Sequence, residues 1–174
     1  TVEPTRDQMP ATDLHFCFAP LKAGRLDWLV QRATEMGAGI IQPVVTRRCV
    51  ADKLNAERAR TILTEAAEQC ARTALPELAE PARLDALLRD WPEDRALFFA
   101  DEEGGEPAAA AFAGRSGPAA LLVGPEGGFD DAERAAIRAL PQARAISLGP
   151  RILRGETASI AATALWMATA GDWK

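Results

Sequence analysis

The sequence predicts an α/β fold, with a mostly parallel sheet flanked by helices. Three observations predict it: short apolar runs of strand length, amphipathic helical stripes between them, and glycine-rich loops that follow a strand and precede a helix. The 174 residues fit one domain with a core of its own, and 48% hydrophobic with 26% charged residues is typical of a globular protein. Neither a disordered nor a fibrous chain is indicated.

The first half of the chain contains a strand, helix, strand pattern followed by a second helix. Pro20 ends the first strand, Gly37 ends the first helix, and Pro43 suggests that the second strand lies at an edge or carries a bulge. The predicted elements are a buried strand over 14–19, a helix with apolar positions Leu26, Leu29, Val30 and Ala33, a strand over 40–45, and a helix with apolar positions from Ala59 to Cys70.

The second half repeats strand and helix more regularly. The predicted elements are a short helix over 84–88, strands over 96–100, 119–123 and 143–148, and a last helix over 157–170. An acidic loop, residues 101–105, follows the strand over 96–100. Repeated βα units of this kind place a ligand at the carboxyl ends of the strands.

Composition and charge restrict the function. The three cysteines, Cys17, Cys49 and Cys70, are widely spaced and indicate neither a disulfide framework nor a metal site, so we expect a cytoplasmic protein. A net charge of -5 argues against strong binding of nucleic acid by this domain alone, because affinity for phosphates comes largely from Lys and Arg. We expect the polar, proline-containing residues 1–12 to be a linker from a preceding domain, with no secretion signal.

The first candidate binding loop is Gly124-Pro125-Glu126-Gly127-Gly128, between a strand and a helix that Asp130 and Glu133 are expected to cap. Its glycines allow positive φ angles and close approach of a ligand to the backbone. The spacing is neither that of a P-loop nor GxGxxG, so phosphate is not the expected ligand. A tight turn that binds nothing explains this loop equally well.

The second candidate loop covers residues 148–157 and also lies between a strand and a helix. On neighbouring strands, the two loops would meet at one crevice. Arg151, Arg154 and Glu156 stand beside Ile152 and Leu153, a mixture that suits a partly apolar ligand, although a surface turn with an Arg–Glu ion pair explains this loop better when it is taken alone. The last helix, 157–170, carries no charge, so we expect it to be buried on all sides, within the domain or between subunits.

Together the two loops resemble the RsmE-type ribosomal RNA uridine-N3 methyltransferases of the SPOUT superfamily. The motifs that carry the resemblance are Leu-Leu-Val-Gly-Pro-Glu-Gly-Gly-Phe from Leu121 and Ser-Leu-Gly-Pro-Arg-Ile-Leu-Arg-Gly-Glu-Thr-Ala from Ser147. Three earlier segments, 25–37, 41–43 and 65–70, are also similar to the family, which therefore covers nearly the whole chain. One departure is Gly155, where the family usually has Thr.

The resemblance implies a SPOUT-type deep C-terminal trefoil knot, S-adenosylmethionine as cofactor, and a homodimer. It also implies that residues 13–174 are the methyltransferase domain and that residues 1–12 follow a small RNA-binding (PUA-like) barrel. The residues it assigns to the cofactor are Phe99, Ala100, Leu122, Val123, Gly124, Glu126, Gly127, Gly128, Leu148, Gly149, Ile152, Leu153 and Thr157.

The implied substrate is 16S ribosomal RNA or the small ribosomal subunit. We expect Arg154 to stabilise the negative charge that forms when uridine N3 loses its proton, and Glu156 either to accept that proton or to orient Arg154. The residues expected to contact RNA are Lys22, Arg25, Arg47, Arg48, Gln69 and Arg72. We expect no metal and no membrane, and a core role for the single histidine, His15.

Two other functions stay open. Related knotted enzymes methylate the 2′-oxygen of ribose with a similar cofactor pocket, and the paired motif favours the base instead. A domain of this fold could also bind RNA or assist assembly without catalysis.

Overall fold

The computed structural model describes residues 12–20, 23–49 and 54–173. The predicted linker, apart from Thr12, and the predicted RNA contact of Lys22 lie outside these residues. The strands are β1 (Leu14–Phe18), β2 (Ile40–Val45), β3 (Glu77–Leu78), β4 (Ala82–Arg83), β5 (Ala96–Ala100), β6 (Glu106–Pro107), β7 (Ala119–Val123) and β8 (Ala143–Ser147). The helices are α1 (Ala23–Glu35), α2 (Ala56–Gln69), α3 (Leu84–Arg89), α4 (Ala108–Phe112), α5 (Asp131–Ala139) and α6 (Gly155–Thr169).

The strands form one sheet in the order β3-β2-β1-β7-β5-β8-β6, and β4 adds a second partner to β2. All pairings among the described strands are parallel, with Phe16 beside both Ile41 and Leu121, and Leu121 beside Phe98. The predicted α/β class and the parallel sheet are confirmed. Apolar runs such as 119–123 form central strands because both of their faces are covered.

Helices cover both faces of the sheet. On one face Phe16, Phe98 and Leu121 pack in a core with α1, α4 and α6. On the other face the alternate residues of the same strands, including Cys17 and Phe99, pack with α3 and α5. No helix in the described ranges is both long and apolar enough to cross a membrane.

Pro43 lies inside the sheet, on a strand with neighbours on both sides. It stands beside Phe18 of β1, and on its other side the partner of β2 changes from β3 to β4. The Gln42 amide bridges this gap by donating to the carbonyl oxygen of Glu80 at 2.6 Å. A residue without an N–H is tolerated here because that side of the ladder is interrupted. The expectation of an edge strand at Pro43 is therefore wrong.

Two further expectations need correction. The two motif loops do not follow neighbouring strands, because β5 lies between β7 and β8. The last helix begins at Gly155, so its first turn contains Glu156 and it is not free of charge.

Burial of α6 is one-sided in the single chain. Ser159, Thr163 and Met167 are buried, whereas Thr157 and Ala168 are exposed. Trp166 fixes the buried face, with its ring 5.6 Å from that of Phe98. The expectation of burial on all sides is not met within one copy of the chain.

Candidate functional site

A cavity of about 600 Å³ opens at the carboxyl ends of β5, β7 and β8. Its walls are formed by residues 100–104 after β5, residues 123–126 with 128 and 129 after β7, and residues 146–155 after β8. Arg25 and Ala158 complete the lining. The two motif loops therefore do meet at one crevice, although β5 separates their strands, because all three parallel strands end at the same edge of the sheet.

Most of the residues assigned to a cofactor line this crevice. They are Ala100, Val123, Gly124, Glu126, Gly128, Leu148, Gly149, Ile152 and Leu153, with Arg154 beside them. Four others do not line it. Phe99 and Leu122 are buried within their strands, and Gly127 and Thr157 are exposed outside the lining.

The first motif loop is held by the cap of α5. Asp130 accepts a hydrogen bond from the backbone N–H of Glu133, and the Glu133 carboxylate accepts one from the N–H of Asp130, so the predicted capping box is present. Gly128 has a φ of +67°, and a Cβ at this position would overlap the Glu102 carboxylate. Glycine adopts this φ without strain, and its lack of a Cβ leaves room for the Glu102 carboxylate.

An ionic network fixes the wall after β5, a feature that the sequence reasoning did not assign to the site. The Asp101 side chain is fully buried and accepts from Arg134 Nε at 3.2 Å and Arg138 Nη2 at 2.7 Å. Arg134 also reaches Glu102 at 3.1 Å and Glu103 at 2.8 Å. Two arginines of α5 thus tie the acidic loop to the helix that follows the first motif loop.

Arg25 joins the two motif loops. It forms an ion pair with Glu126 of the first loop, and its Nε lies 3.7 Å from Oε1 of Glu156 in the second. The other oxygen of Glu156, Oε2, is buried and has no hydrogen-bond partner among the described residues. The ion pair of Glu156 is therefore with Arg25 of α1, and not with an arginine of the second loop as the interpretation of a surface turn suggested.

Residues 8–167 match the family model described as "RNA methyltransferase domain". The chain belongs to this family. It is 30% identical over 154 residues to the Ribosomal RNA small subunit methyltransferase E of Rickettsia conorii, covering 87% of this chain and 62% of that protein. It is 32% identical to the Bacillus subtilis protein of the same name, covering 80% of this chain and 59% of that protein. The chain thus spans about three fifths of these relatives.

A solved structure shares the fold. The crystal structure of a Ribosomal RNA small subunit methyltransferase E from Neisseria gonorrhoeae, bound to S-adenosyl methionine, superposes with a TM-score of 0.86 at 26% identity. The match covers 99% of this chain and 72% of that one.

The predicted RNA-contacting residues that the structure describes lie in two separate groups. Arg25, Arg47 and Arg48 lie at the carboxyl edge of the sheet, near the crevice. Gln69 and Arg72 lie at the end of α2, towards the opposite edge. The predicted set is therefore not one continuous surface.

Arg72 has a structural contact of its own. Its guanidinium donates to the carbonyl oxygens of Thr34 at 2.9 Å and Ala38 at 2.7 Å, which closes the carboxyl end of α1. Burial lowers the pKa of Arg72 from its usual range. In the sequence, Arg72 is only a polar residue after a helix. Its hydrogen-bond partners are more than 30 positions away along the chain, so no local pattern predicts these contacts.

His15 lies in β1, and its ring stacks on that of Trp91 with centroids 6.2 Å apart. Burial, followed by the nearby charge of Arg95, lowers the pKa of His15 to about 4. The histidine is therefore neutral at physiological pH and packs in the protein, as its place in a buried strand predicted. Across the described ranges, no cluster of three or more His, Cys, Asp or Glu side chains is arranged to hold a metal ion.

Proposed function

We propose that this chain is the catalytic domain of an S-adenosylmethionine-dependent methyltransferase that modifies N3 of a uridine in 16S ribosomal RNA. The observation that carries the proposal is the crevice of about 600 Å³ in which the two family motifs meet beside the end of β5. The names of the relatives and the cofactor in the Neisseria gonorrhoeae structure support the reaction class.

The lining of the crevice fits this cofactor. Leu148, Leu153 and Val123 offer an apolar surface for an aromatic base, and the carboxylates of Glu102 and Glu126 suit hydroxyl groups and positive charge. Gly128, which also lines the crevice, leaves room for the Glu102 carboxylate in this wall. The cofactor, when bound, supplies an electrophilic methyl group on a sulfonium.

The proposed set of cofactor-binding residues follows the lining. It keeps the nine predicted cofactor-binding residues that line the crevice and adds the acidic wall at Glu102. Phe99 and Leu122 do not contact the cofactor in this proposal; they are buried in the core and pack the strands that carry the walls.

We assign the chemistry at uridine to Arg154 and Glu156. Deprotonation of N3 spreads negative charge onto O2 and O4 of the base, and Arg154 supplies a positive charge in the lining to stabilise it. Arg154 is exposed and forms no ion pair in the described part of the chain, so its guanidinium is available. Glu156 does not line the crevice, and its Oε2 is buried without a hydrogen-bond partner among the described residues, while Arg25 lies 3.7 Å from Oε1. We propose that Oε2 accepts the proton, which requires the Glu156 side chain to turn towards the crevice.

The proposal includes a trefoil knot in the C-terminal part. It is supported by the path of α6, which leaves the second motif loop and packs back across α1, α4 and β7.

The proposal also includes two partners. A homodimer is supported by Ile152, which is 90% exposed beside the crevice, and by the half-covered outer side of α6. The RNA partner is the small ribosomal subunit, reached in the cytoplasm through the arginines at the carboxyl edge.

The test of the catalytic assignment is Arg154→Ala, measured by transfer of a labelled methyl group to small-subunit RNA. Turnover should fall by about 100-fold or more, because a charge-stabilising group of the transition state is lost. Cofactor affinity, measured by calorimetry, should stay close to that of the unchanged chain.

Arg60→Ala is the control, since Arg60 is an exposed arginine on α2 whose one ion pair among the described residues is with Glu80 at 3.6 Å. It should keep full turnover. Unchanged turnover in Arg154→Ala would overturn the role of Arg154. Absence of cofactor binding by the unchanged chain would instead indicate a non-catalytic domain.

A further inference from the structure

The turn after β2 is fastened to the first motif loop by two arginines. Arg48 Nη1 donates to the carbonyl oxygen of Gly127 at 2.8 Å and to that of Phe129 at 3.4 Å. Arg47 Nη1 lies 3.0 Å from Oδ2 of Asp130. These contacts span about 80 residues of sequence and join a part of the molecule outside the crevice to one of its walls.

The Glu133 carboxylate also connects the turn after β2 to the first motif loop. One of its carboxylate oxygens accepts the backbone N–H of Arg47 at 2.7 Å, and the other accepts that of Asp130 at 3.1 Å. The residue is buried, so both oxygens need these donors. The carboxylate that caps α5 therefore also holds the turn after β2.

Arg48 covers Gly127 closely. A Cβ on Gly127 would lie 3.5 Å from Cδ of Arg48, so the side chain rests on the backbone of the loop. Gly127 is exposed and does not line the crevice, whereas Glu126 and Gly128 on either side of it do. Arg48 thus contacts the loop at a residue that does not line the crevice.

We propose that Arg48, assisted by Arg47, is a positioning residue for the cofactor: it holds residues 127–129 in the conformation that the crevice requires. The inference rests on the proposed function. It gives Arg48 a task other than attraction of RNA, because its hydrogen bonds to the carbonyl oxygens of Gly127 and Phe129 depend on the guanidinium geometry and not on charge alone. Arg47 adds its ion pair with Asp130.

The first test needs no cofactor. Hydrogen exchange of the backbone amides in 124–130 should be faster in Arg48→Ala than in the unchanged chain, since the loop loses its outer support. Arg60→Ala, which removes one exposed arginine elsewhere, should leave that exchange unchanged. Equal protection of 124–130 in the unchanged chain and in Arg48→Ala overturns the proposal even if the protein methylates RNA.

The second test measures affinity for S-adenosylmethionine by calorimetry without RNA. Arg48→Ala should weaken binding about threefold to tenfold, the effect expected when one or two hydrogen bonds that order a loop are lost. Arg48→Lys keeps the charge but not the planar fork, and should also weaken binding. Circular dichroism and thermal melting verify that both variants are folded.

The outcomes separate the two proposals. Cofactor binding by the unchanged chain with equal affinity in Arg48→Ala overturns the positioning role and leaves the proposed function intact. No binding by the unchanged chain overturns the proposed function, while faster exchange in Arg48→Ala would still show that Arg48 fixes the loop.

Discussion

Replacing Arg134 by Met removes the centre of the ionic network behind the crevice. Methionine preserves much of the length and apolar bulk of the arginine side chain but none of its hydrogen bonds. Asp101, whose side chain is fully buried, would lose the Arg134 contact at 3.2 Å and keep that to Arg138 at 2.7 Å. Removing one partner of a buried ion pair typically costs about 3–5 kcal/mol. Because Arg138 remains, we expect a loss of about 3 kcal/mol.

Urea unfolding followed by circular dichroism measures this loss. With a typical dependence of about 1–3 kcal/mol per molar urea, the midpoint should fall by roughly 1–3 M. Affinity for S-adenosylmethionine should weaken in parallel, since Arg134 also holds Glu102 and Glu103 of the acidic wall.

A double variant tests the cause. In Asp101→Asn with Arg134→Met the buried negative charge is absent, so the combined loss should be smaller than the sum of the two single losses. Arg60→Ala, which removes an exposed ion pair with Glu80, should lower the free energy of unfolding by less than about 1 kcal/mol. A loss below about 1 kcal/mol in Arg134→Met, or strict additivity in the double variant, would show that Arg134 does not compensate the buried charge of Asp101.

Two further predictions concern the loop and the pH dependence of stability. Gly128→Ala should destabilise the fold by about 1–2 kcal/mol through its φ of +67° alone, and should weaken cofactor binding because the methyl group displaces Glu102. His15→Phe should reduce the amount of unfolding free energy that the protein loses as the pH falls into the acid range. The pKa of His15 is about 4 in the fold and 6.5 in the unfolded chain, so the unfolded state binds more protons and stability is lost as pH falls from 6.5 towards 4.

Both predictions have matched comparisons. For His15→Phe, the difference in unfolding free energy between pH 7 and pH 4.5 should be smaller than in the unchanged chain by roughly 2–3 kcal/mol, and equal differences would contradict the burial of a neutral histidine. For Gly128→Ala, the comparison is Gly24→Ala, where a Cβ would meet no atom within 4 Å. Equal stability and cofactor affinity in the two alanine variants would contradict the argument from φ and overlap.

Local patterns predicted the longer elements of the fold, whereas the short elements β3, β4, β6 and α4 were not predicted. Runs such as 96–100 and 119–123 are apolar throughout because parallel strands are covered on both faces, and the Asp130 and Glu133 pair marks the start of α5 within a few residues. The motif loops were likewise visible as glycines and charges placed directly after strands.

Long-range contacts were not predictable in the same way. The position of β5 between β7 and β8 depends on crossover connections, which leave no periodic pattern. Asp101 and Arg134 are 33 residues apart, and the acidic loop gives no sign that one of its carboxylates is buried. The pairing of Arg25 with Glu156 across 131 positions is equally invisible in the sequence. The walls of the crevice were therefore predicted better than the contacts that hold them in place.

The most direct test of the central claim is nucleoside analysis by mass spectrometry of 16S ribosomal RNA from small subunits incubated with the protein and S-adenosylmethionine. We expect one additional methyl group on N3 of a uridine, which is absent when Glu156→Gln or Arg154→Ala replaces the unchanged chain. A methyl group on the 2′-oxygen of a ribose, or no methylation by a protein that binds the RNA, would contradict it.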